Sequence, residues 1–579
     1  MDRIHPIVRK TGGLVFSSSK EDGQSLANKA KHILAWSAAL AIPVLFLGLL
    51  FVYPVGAIVW RGLTQDGTLD VASFLSTLTK PRTLRALGNT LLQAFLGTCV
   101  SVVLAIPGAY VLYRHTFPGC AFLRTLAGVP FVIPTIVVGT AFRALFSSGG
   151  PLGAFGLDQS LTAIVCAMVF FNYGLVVRMI GSVWERLDPR AEQAAAALGA
   201  SPPRVAVTVT LPALAPAIGA AAAIVFLFCS TAFAVVLVLG GSGYATIEVE
   251  MWIQATQVYD LSAAAALTII QLVFVAAVLG ATALLQRGSP KSLNLAEAKQ
   301  VTPRLRLGRG TGVTLWASVL ITLATAFFIF LPIITMLIRS FRRRGEWTFD
   351  NYRALLSPSK NPLSVNVLDA AADSWRIAID ATIIAVAVGL LLAIILTRRP
   401  RSNAGQLLLQ GFGGFVMVPL GVSAVIVGLG FLIALDHPPL DLRSSPLLIP
   451  LAQALVAVPI VLRTALPILR GINPRLKQVA ATLGASPMRV LVTVEGPMIF
   501  RSIGMAIGFA FAISLGEFGA TSFLARPDHP TLPILIYRLL GRPGEGNYET
   551  AMAASVVLAL TVGLVMGLCE QLRPRKAGK

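Results

Sequence analysis

Charge is scarce in this chain: only 13% of its 579 residues are Asp, Glu, Lys or Arg, against about 25% in an ordinary soluble protein. That shortage excludes a water-soluble enzyme. Cysteine is also rare, and Cys99, Cys120, Cys166, Cys229 and Cys569 stand too far apart for a Cys-x-x-Cys metal site or a disulfide framework. The five histidines, His5, His32, His115, His437 and His529, are equally scattered, which leaves a catalytic metal centre without a ligand cluster. No G-x-x-x-x-G-K-[ST] stretch occurs, so the loop that cradles nucleotide phosphates is missing.

What the chain has instead is apolar sequence. Hydrophobic residues make up 55%, and a mean hydropathy of +0.77 requires them to dominate most of the length, as in a polytopic membrane protein. Runs long enough to cross a bilayer core lie near 33–60, 88–113, 121–145, 159–183, 213–240 and 260–285. A second set lies near 312–338, 377–397, 406–434, 446–469, 498–524 and 548–572. The expected architecture is all-α, with about 12 transmembrane helices arranged as two parallel six-helix repeats. Residues 1–32 read as a polar N-terminal arm, 33–285 as the first half, 286–311 as a basic linker, 312–572 as the second half and 573–579 as a tail.

Net charge is +21. Its meaning lies in where the bases fall. An orientation with both termini cytoplasmic puts most Lys and Arg on the inner side, where they retain loops and meet anionic lipid. Arg339, Arg342, Arg343 and Arg344 run against that bias, on the expected outer face. With the bases so explained, nucleic-acid binding has no support.

The two halves share a loop. Pro189 to Pro212 reads PRAEQAAAALGASPPRVAVTVTLP and Pro474 to Pro497 reads PRLKQVAATLGASPMRVLVTVEGP, a gapless alignment at an offset of 285 with 16 of 24 positions identical. The same offset pairs Arg178 with Arg463 and Pro134 with Pro419. Asp188-Pro189 and Asn473-Pro474 are helix starts, with a capping side chain before a proline that has no N–H to lose. Gly199 and Gly484 are helix stops, and Ser201-Pro202 and Ser486-Pro487 begin a second short helix leading to Pro212 and Pro497. Small residues cover the first helix of each loop, so another surface can approach it closely.

At these residues the chain resembles the membrane subunit of bacterial ATP-binding-cassette importers, whose loop motif is E-A-A-x3-G-x9-I-x-L-P. Gly199 is followed by Val209, Leu211 and Pro212, and Gly484 by Val494 and Pro497. The departures are Gln193 and Gln478 for the motif's Glu, Val479 for its first Ala, and Gly496 for its Leu. The resemblance implies that Gln193, Ala194, Ala195, Gly199, Ala200 and Ser201, with Gln478, Ala480, Gly484, Ala485 and Ser486, dock two copies of a cytoplasmic ATPase. ATP and magnesium would then be held by that partner, with no cofactor and no catalysis on this chain. The short external loops leave ligand capture to an extracytoplasmic binding protein, and the location implied is the bacterial inner membrane.

Fused chains of this kind resemble thiamine and ferric-iron importers, with sulfate, molybdate and polyamine permeases related. Two stretches favour thiamine: Ser230 to Leu237 with Thr246-Ile247-Glu248-Val249, and Leu515-Gly516-Glu517-Phe518-Gly519-Ala520 with Thr531-Leu532-Pro533 and Tyr537. Glu517, an acid inside an apolar run, is read as lying on the substrate path with Ser230, Thr231, Thr521 and Ser522. The alternative for Glu517 is a hydrogen-bonded carboxyl in helix packing. Arg178 and Arg463 read as side chains snorkelling to the interface. A secondary transporter is the reading from another class, but it leaves the repeated polar loops idle.

Overall fold

In the computed structural model, residues 39–65, 67–241, 243–287, 305–306, 313–356, 367–397, 402–436, 441–443, 445–472 and 474–571 are described. The expected arm 1–32, tail 573–579 and most of the linker 286–311 lie outside them. Residues 305–306 form a short parallel bridge to His115–Thr116. Elsewhere among the described residues the chain is built from helices, and strands occur only as short pairs.

Among the described residues nine helices are long and apolar enough to cross a membrane. In the first half they are Ala39–Leu63, Pro81–Arg114, Leu161–Trp184, Pro202–Ser230 and Leu261–Thr282; in the second, Leu315–Ser340, Val367–Leu396, Leu448–Gly471 and Gly546–Cys569. A bent pair, Cys120–Val132 with Thr135–Phe146, takes the place of the third span; in the second half the shorter Ala424–Ala434 stands in the third place and Ile503–Leu515 in the fifth. Six segments per half result, so about 12 in all.

Four of the expected runs are not single straight helices. The run 121–145 turns through 100° where Pro130 and Pro134 each withhold a backbone donor. Its counterpart 406–434 breaks around Pro419 into Asn403–Val416 and Ala424–Ala434. The run 213–240 ends as a helix at Ser230, because the Ser230 and Thr231 hydroxyls both donate to the Leu227 carbonyl (2.8 and 3.0 Å) and close that end. In the second half the equivalent helix ends at Leu515, short of the expected 524.

Packing repeats from half to half. Pro81–Arg114 lies along Leu161–Trp184, and Val367–Leu396 lies along Leu448–Gly471 in the same way. The first span of each half crosses to the other: Tyr53–Leu63 packs on Ala424–Ala434, and Val313–Ser340 packs on Thr135–Phe146. Small residues permit the close approaches. A Cβ on Gly174 would overlap the Ala127 carbonyl oxygen, so a side chain there would push the fourth span off the bent third.

Large apolar side chains such as Leu320, Phe327, Leu560 and Leu564 point outward from the spans, as a lipid-facing surface requires. Two of the arginines that oppose the charge bias have side-chain partners. Arg339 donates to Ser147 and lies over the Tyr548 ring, and Arg342 lies over Trp347. Arg178 and Arg463 are exposed at matching helix positions.

Candidate functional site

Each repeated loop is a helix–turn–helix. The first helix of the first loop is Arg190–Ala197, and the Asp188 carboxylate accepts from the Arg190 N–H at 2.9 Å. Its second-loop counterpart, Asn473, lies outside the described residues. Gly199 and Gly484 adopt φ of +85° and +82°, the left-handed conformation their positions require. Around Gly199 the closing bonds are Ala200 N to Ala195 O (3.1 Å) and Gly199 N to Ala196 O (3.0 Å), the paired bonds of a Schellman stop. Ala485 N to Ala480 O repeats the first of these at 3.0 Å.

Gln193, Ala194, Ser201, Gln478 and Ser486 are exposed, and Ala195, Ala200, Ala480 and Ala485 are half-buried. The loops also expose large apolar residues that the motif does not name. Leu198 and Leu483 are 89% and 83% exposed, and Val207 and Val492 are exposed as well. Each pair is related by the 285 offset, so the same apolar surface is presented twice.

The second helix of the loop does not stop at Pro212. Pro202–Ser230 is one continuous helix of 29 residues, because a π turn at Ala206–Thr210 shifts the hydrogen-bond register just before the proline. A π turn at Leu491–Glu495 does the same ahead of Pro497. The second helix of the loop and the fifth span are therefore one rod in each half.

Glu192, beside the motif position, carries a contact that motif matching passes over. Its carboxylate pairs with Arg114 at 2.7 Å and accepts from the Thr210 hydroxyl at 2.8 Å. Arg114 is the last residue of the second span and is buried. One acid thus ties the loop to the second span and to the base of the fifth. At the 285 offset the corresponding residues are Lys477, Arg399 and Glu495, a different charge set.

Beyond Ser230 the chain continues as the short helices Ala234–Leu239 and Ile247–Ile253; beyond Leu515 it forms Thr521–Leu524 and Leu532–Leu540. Here Phe233 stacks on Phe518, with ring centroids 5.7 Å apart and planes 22° apart. These two residues are repeat equivalents, so the pair lies on a pseudo-two-fold axis between the halves. Trp252 meets Tyr537, also an equivalent pair, edge to face at 5.8 Å. Phe233–Trp252 and Phe518–Tyr537 contacts at 6.4 and 5.5 Å close a ring of four aromatics.

The residues read as substrate path flank this quartet. Glu517 is buried, and its carboxylate accepts from the Ala520 N–H (2.8 Å), the Thr521 N–H (3.0 Å) and the Thr521 hydroxyl (2.6 Å). The acid thus caps the turn that carries Phe518. Gln453 extends the network, donating to Thr521 and accepting from Ser514. Ser522 donates to the Gly519 carbonyl, and Ser230 and Thr231 donate to Leu227. Glu517 and Thr521 are brought together, whereas the other hydroxyls are spent on local backbone.

Similarity to characterised proteins agrees with this geometry. Residues 89–289 match the family described as binding-protein-dependent transport system inner membrane component. The thiamine transport system permease protein of Escherichia coli strain K12 is 27% identical over 504 residues, covering 83% of this chain and 88% of that protein. Its counterpart from Brucella abortus strain 2308 is 26% identical over 551 residues, covering 93% and 94%. The sulfate transport system permease protein of Salmonella typhimurium strain LT2 is 33% identical over 224 residues, covering 38% of this chain and 79% of that one. The chain belongs to the family of binding-protein-dependent transport inner-membrane components, as a multi-pass fused permease of an ATP-binding-cassette importer whose ATP hydrolysis is carried out by a separate subunit.

Proposed function

We propose that this chain forms the whole translocation path of a thiamine importer and couples it to two copies of a cytoplasmic ATPase through Gln193–Ser201 and Gln478–Ser486. The observation that carries this reading is the continuity of the rods. Pro202–Ser230 starts at one loop and ends three residues before Phe233; the helical stretch from Pro487 to Leu515 ends three residues before Phe518. A helix of 29 residues reaches about 43 Å, enough to carry a displacement from one membrane face to the buried quartet.

Closure of two ATPase clefts would move both loops together. Because the rods converge on equivalent phenylalanines, that motion separates or joins the stacked rings and so opens or shuts the path. Glu192 makes the second span follow the first loop through Arg114. ATP and magnesium stay on the ATPase, cargo arrives from an extracytoplasmic binding protein, and the loops, the linker and both termini face the cytoplasm.

The substrate reading draws support from relatives named for thiamine that align along both halves of this chain. Ferric iron has no such support here, and a secondary transporter is set aside by the family. Reconstituted with its ATPase and binding protein in proteoliposomes, the chain is expected to accumulate labelled thiamine only when ATP is supplied. Accumulation of sulfate instead of thiamine, or uptake without ATP, contradicts the proposal.

A further inference from the structure

The short helix Ile247–Ile253 carries two acids whose surroundings differ. Glu250 is paired: Arg82 approaches its carboxylate at 2.7 Å and Gln254 donates to it at 2.7 Å. Glu248, two residues earlier, points to the opposite side of the helix, about 200° around. It is only 1% exposed, and neither carboxylate oxygen has a hydrogen-bond partner of ordinary geometry among the described residues. The Ser423 hydroxyl, from the second half, lies beside it.

Trp252 stands one helical turn from Glu248 and shares its face. It is a member of the aromatic quartet, and its indole N–H is also buried without a partner among the described residues. The same is true of the hydroxyls of Thr246, at the start of this helix, and of its repeat equivalent Thr531. Buried polar groups are nearly always hydrogen-bonded, and an unpaired buried carboxylate is the costliest exception. Four of the residues with such exceptions among the described residues, Thr246, Glu248, Trp252 and Thr531, lie on the two segments that form the quartet.

We propose that Glu248 is the charge-reading residue of the path, pairing with a positively charged, ring-bearing solute as that solute passes the faces of Phe233, Trp252, Phe518 and Tyr537. This rests on the thiamine reading and names the residue that serves it. The carboxylate supplies the counter-charge that a cation loses with its water, and aromatic faces attract both the cation and its flat ring. The indole N–H and the threonine hydroxyls supply hydrogen bonds for the cargo's polar edge. An anion such as sulfate finds no counter-charge here. The position equivalent to Glu248 is Pro533, so this acid is supplied by the first half alone.

The test compares wild type, Glu248→Gln and Glu248→Asp in the complete permease–ATPase complex, reconstituted and supplied with thiamine-loaded binding protein. Gln keeps the volume and can bond Ser423, so a packing role is served equally well by Gln, whereas a counter-charge is not. Initial thiamine uptake is expected to fall at least about tenfold in Glu248→Gln, the loss of one charge-assisted contact, and to recover in Glu248→Asp. Wild-type uptake in an assembled Glu248→Gln complex overturns the assignment and leaves thiamine as the cargo. Failure of Glu248→Gln to assemble assigns the carboxylate to packing and also overturns it. No thiamine uptake by the wild type overturns the substrate reading, and this site falls with it.

Discussion

Reversing one charge, Arg114→Glu, is expected to abolish ATP-driven uptake while the spans still insert. In the wild type the Arg114–Glu192 pair spans 2.7 Å, with side chains only 10% and 23% exposed, and it is the point where the first loop is fastened to the second span. Breaking a buried pair by removing one partner costs about 3–5 kcal/mol, and a second carboxylate adds repulsion. The lower end corresponds to more than about a hundredfold in any step that needs the loop held in place. The Thr210 bond to Glu192 cannot compensate, because it is a single contact from the same rod. The swapped variant, Arg114→Glu with Glu192→Arg, restores the pair with opposite polarity and is expected to recover uptake. Near-normal uptake in the single variant would mean that the loop is held by its backbone alone. The second loop gives an internal comparison, since Lys477 stands where Glu192 does and the acid of that loop is Glu495.

A second large effect is expected at the quartet. Phe233→Ala with Phe518→Ala removes both stacked rings from the pseudo-two-fold axis, where Phe233 and Phe518 are 5% and 2% exposed. Two such truncations cost roughly 3–5 kcal/mol each and leave a hole on the axis, although Trp252 and Tyr537 still meet. Proteoliposomes carrying the double variant should leak small solutes without ATP, and ATP should no longer raise thiamine uptake above that leak. The paired replacement Phe233→Leu with Phe518→Leu, which keeps most of the volume, should stay sealed. An alanine variant that assembles and remains tight would show that the barrier lies elsewhere in the chain.

Much of this arrangement can be read from sequence where the cause is local. The capping Asp188, the left-handed Gly199 and Gly484, and the duplicated loop all follow from residue type and a constant offset. The broken third segments were visible as Pro130, Pro134 and Pro419, but a hydropathy window averages over a bend and reports a single span. The end of the fifth span at Ser230 is set by two hydroxyls folding back on Leu227, which no apolar count detects. Pro212 misled in the other direction, because a π turn lets the helix run through it.

At the site, the offset that pairs the loops also pairs Phe233 with Phe518 and Trp252 with Tyr537. Applied to the aromatics it marks the quartet in advance, although only the fold shows that equivalents meet on an axis. Glu192 escaped because the motif directs the eye to its neighbour, Gln193. Glu517 stands out in sequence as an acid in an apolar run, and its own turn provides the donors to its carboxylate. Glu248 sits in an equally apolar stretch and lacks them, a difference that depends on tertiary packing and not on the sequence around either residue.

The central claim is that one chain supplies both halves of the path and both docking loops. The mass of the purified, assembled importer, measured intact in its detergent or lipid shell, tests it most directly. One copy of this 61.1 kDa chain with two copies of one ATPase is the expected composition. A complex containing two copies of this chain would contradict it.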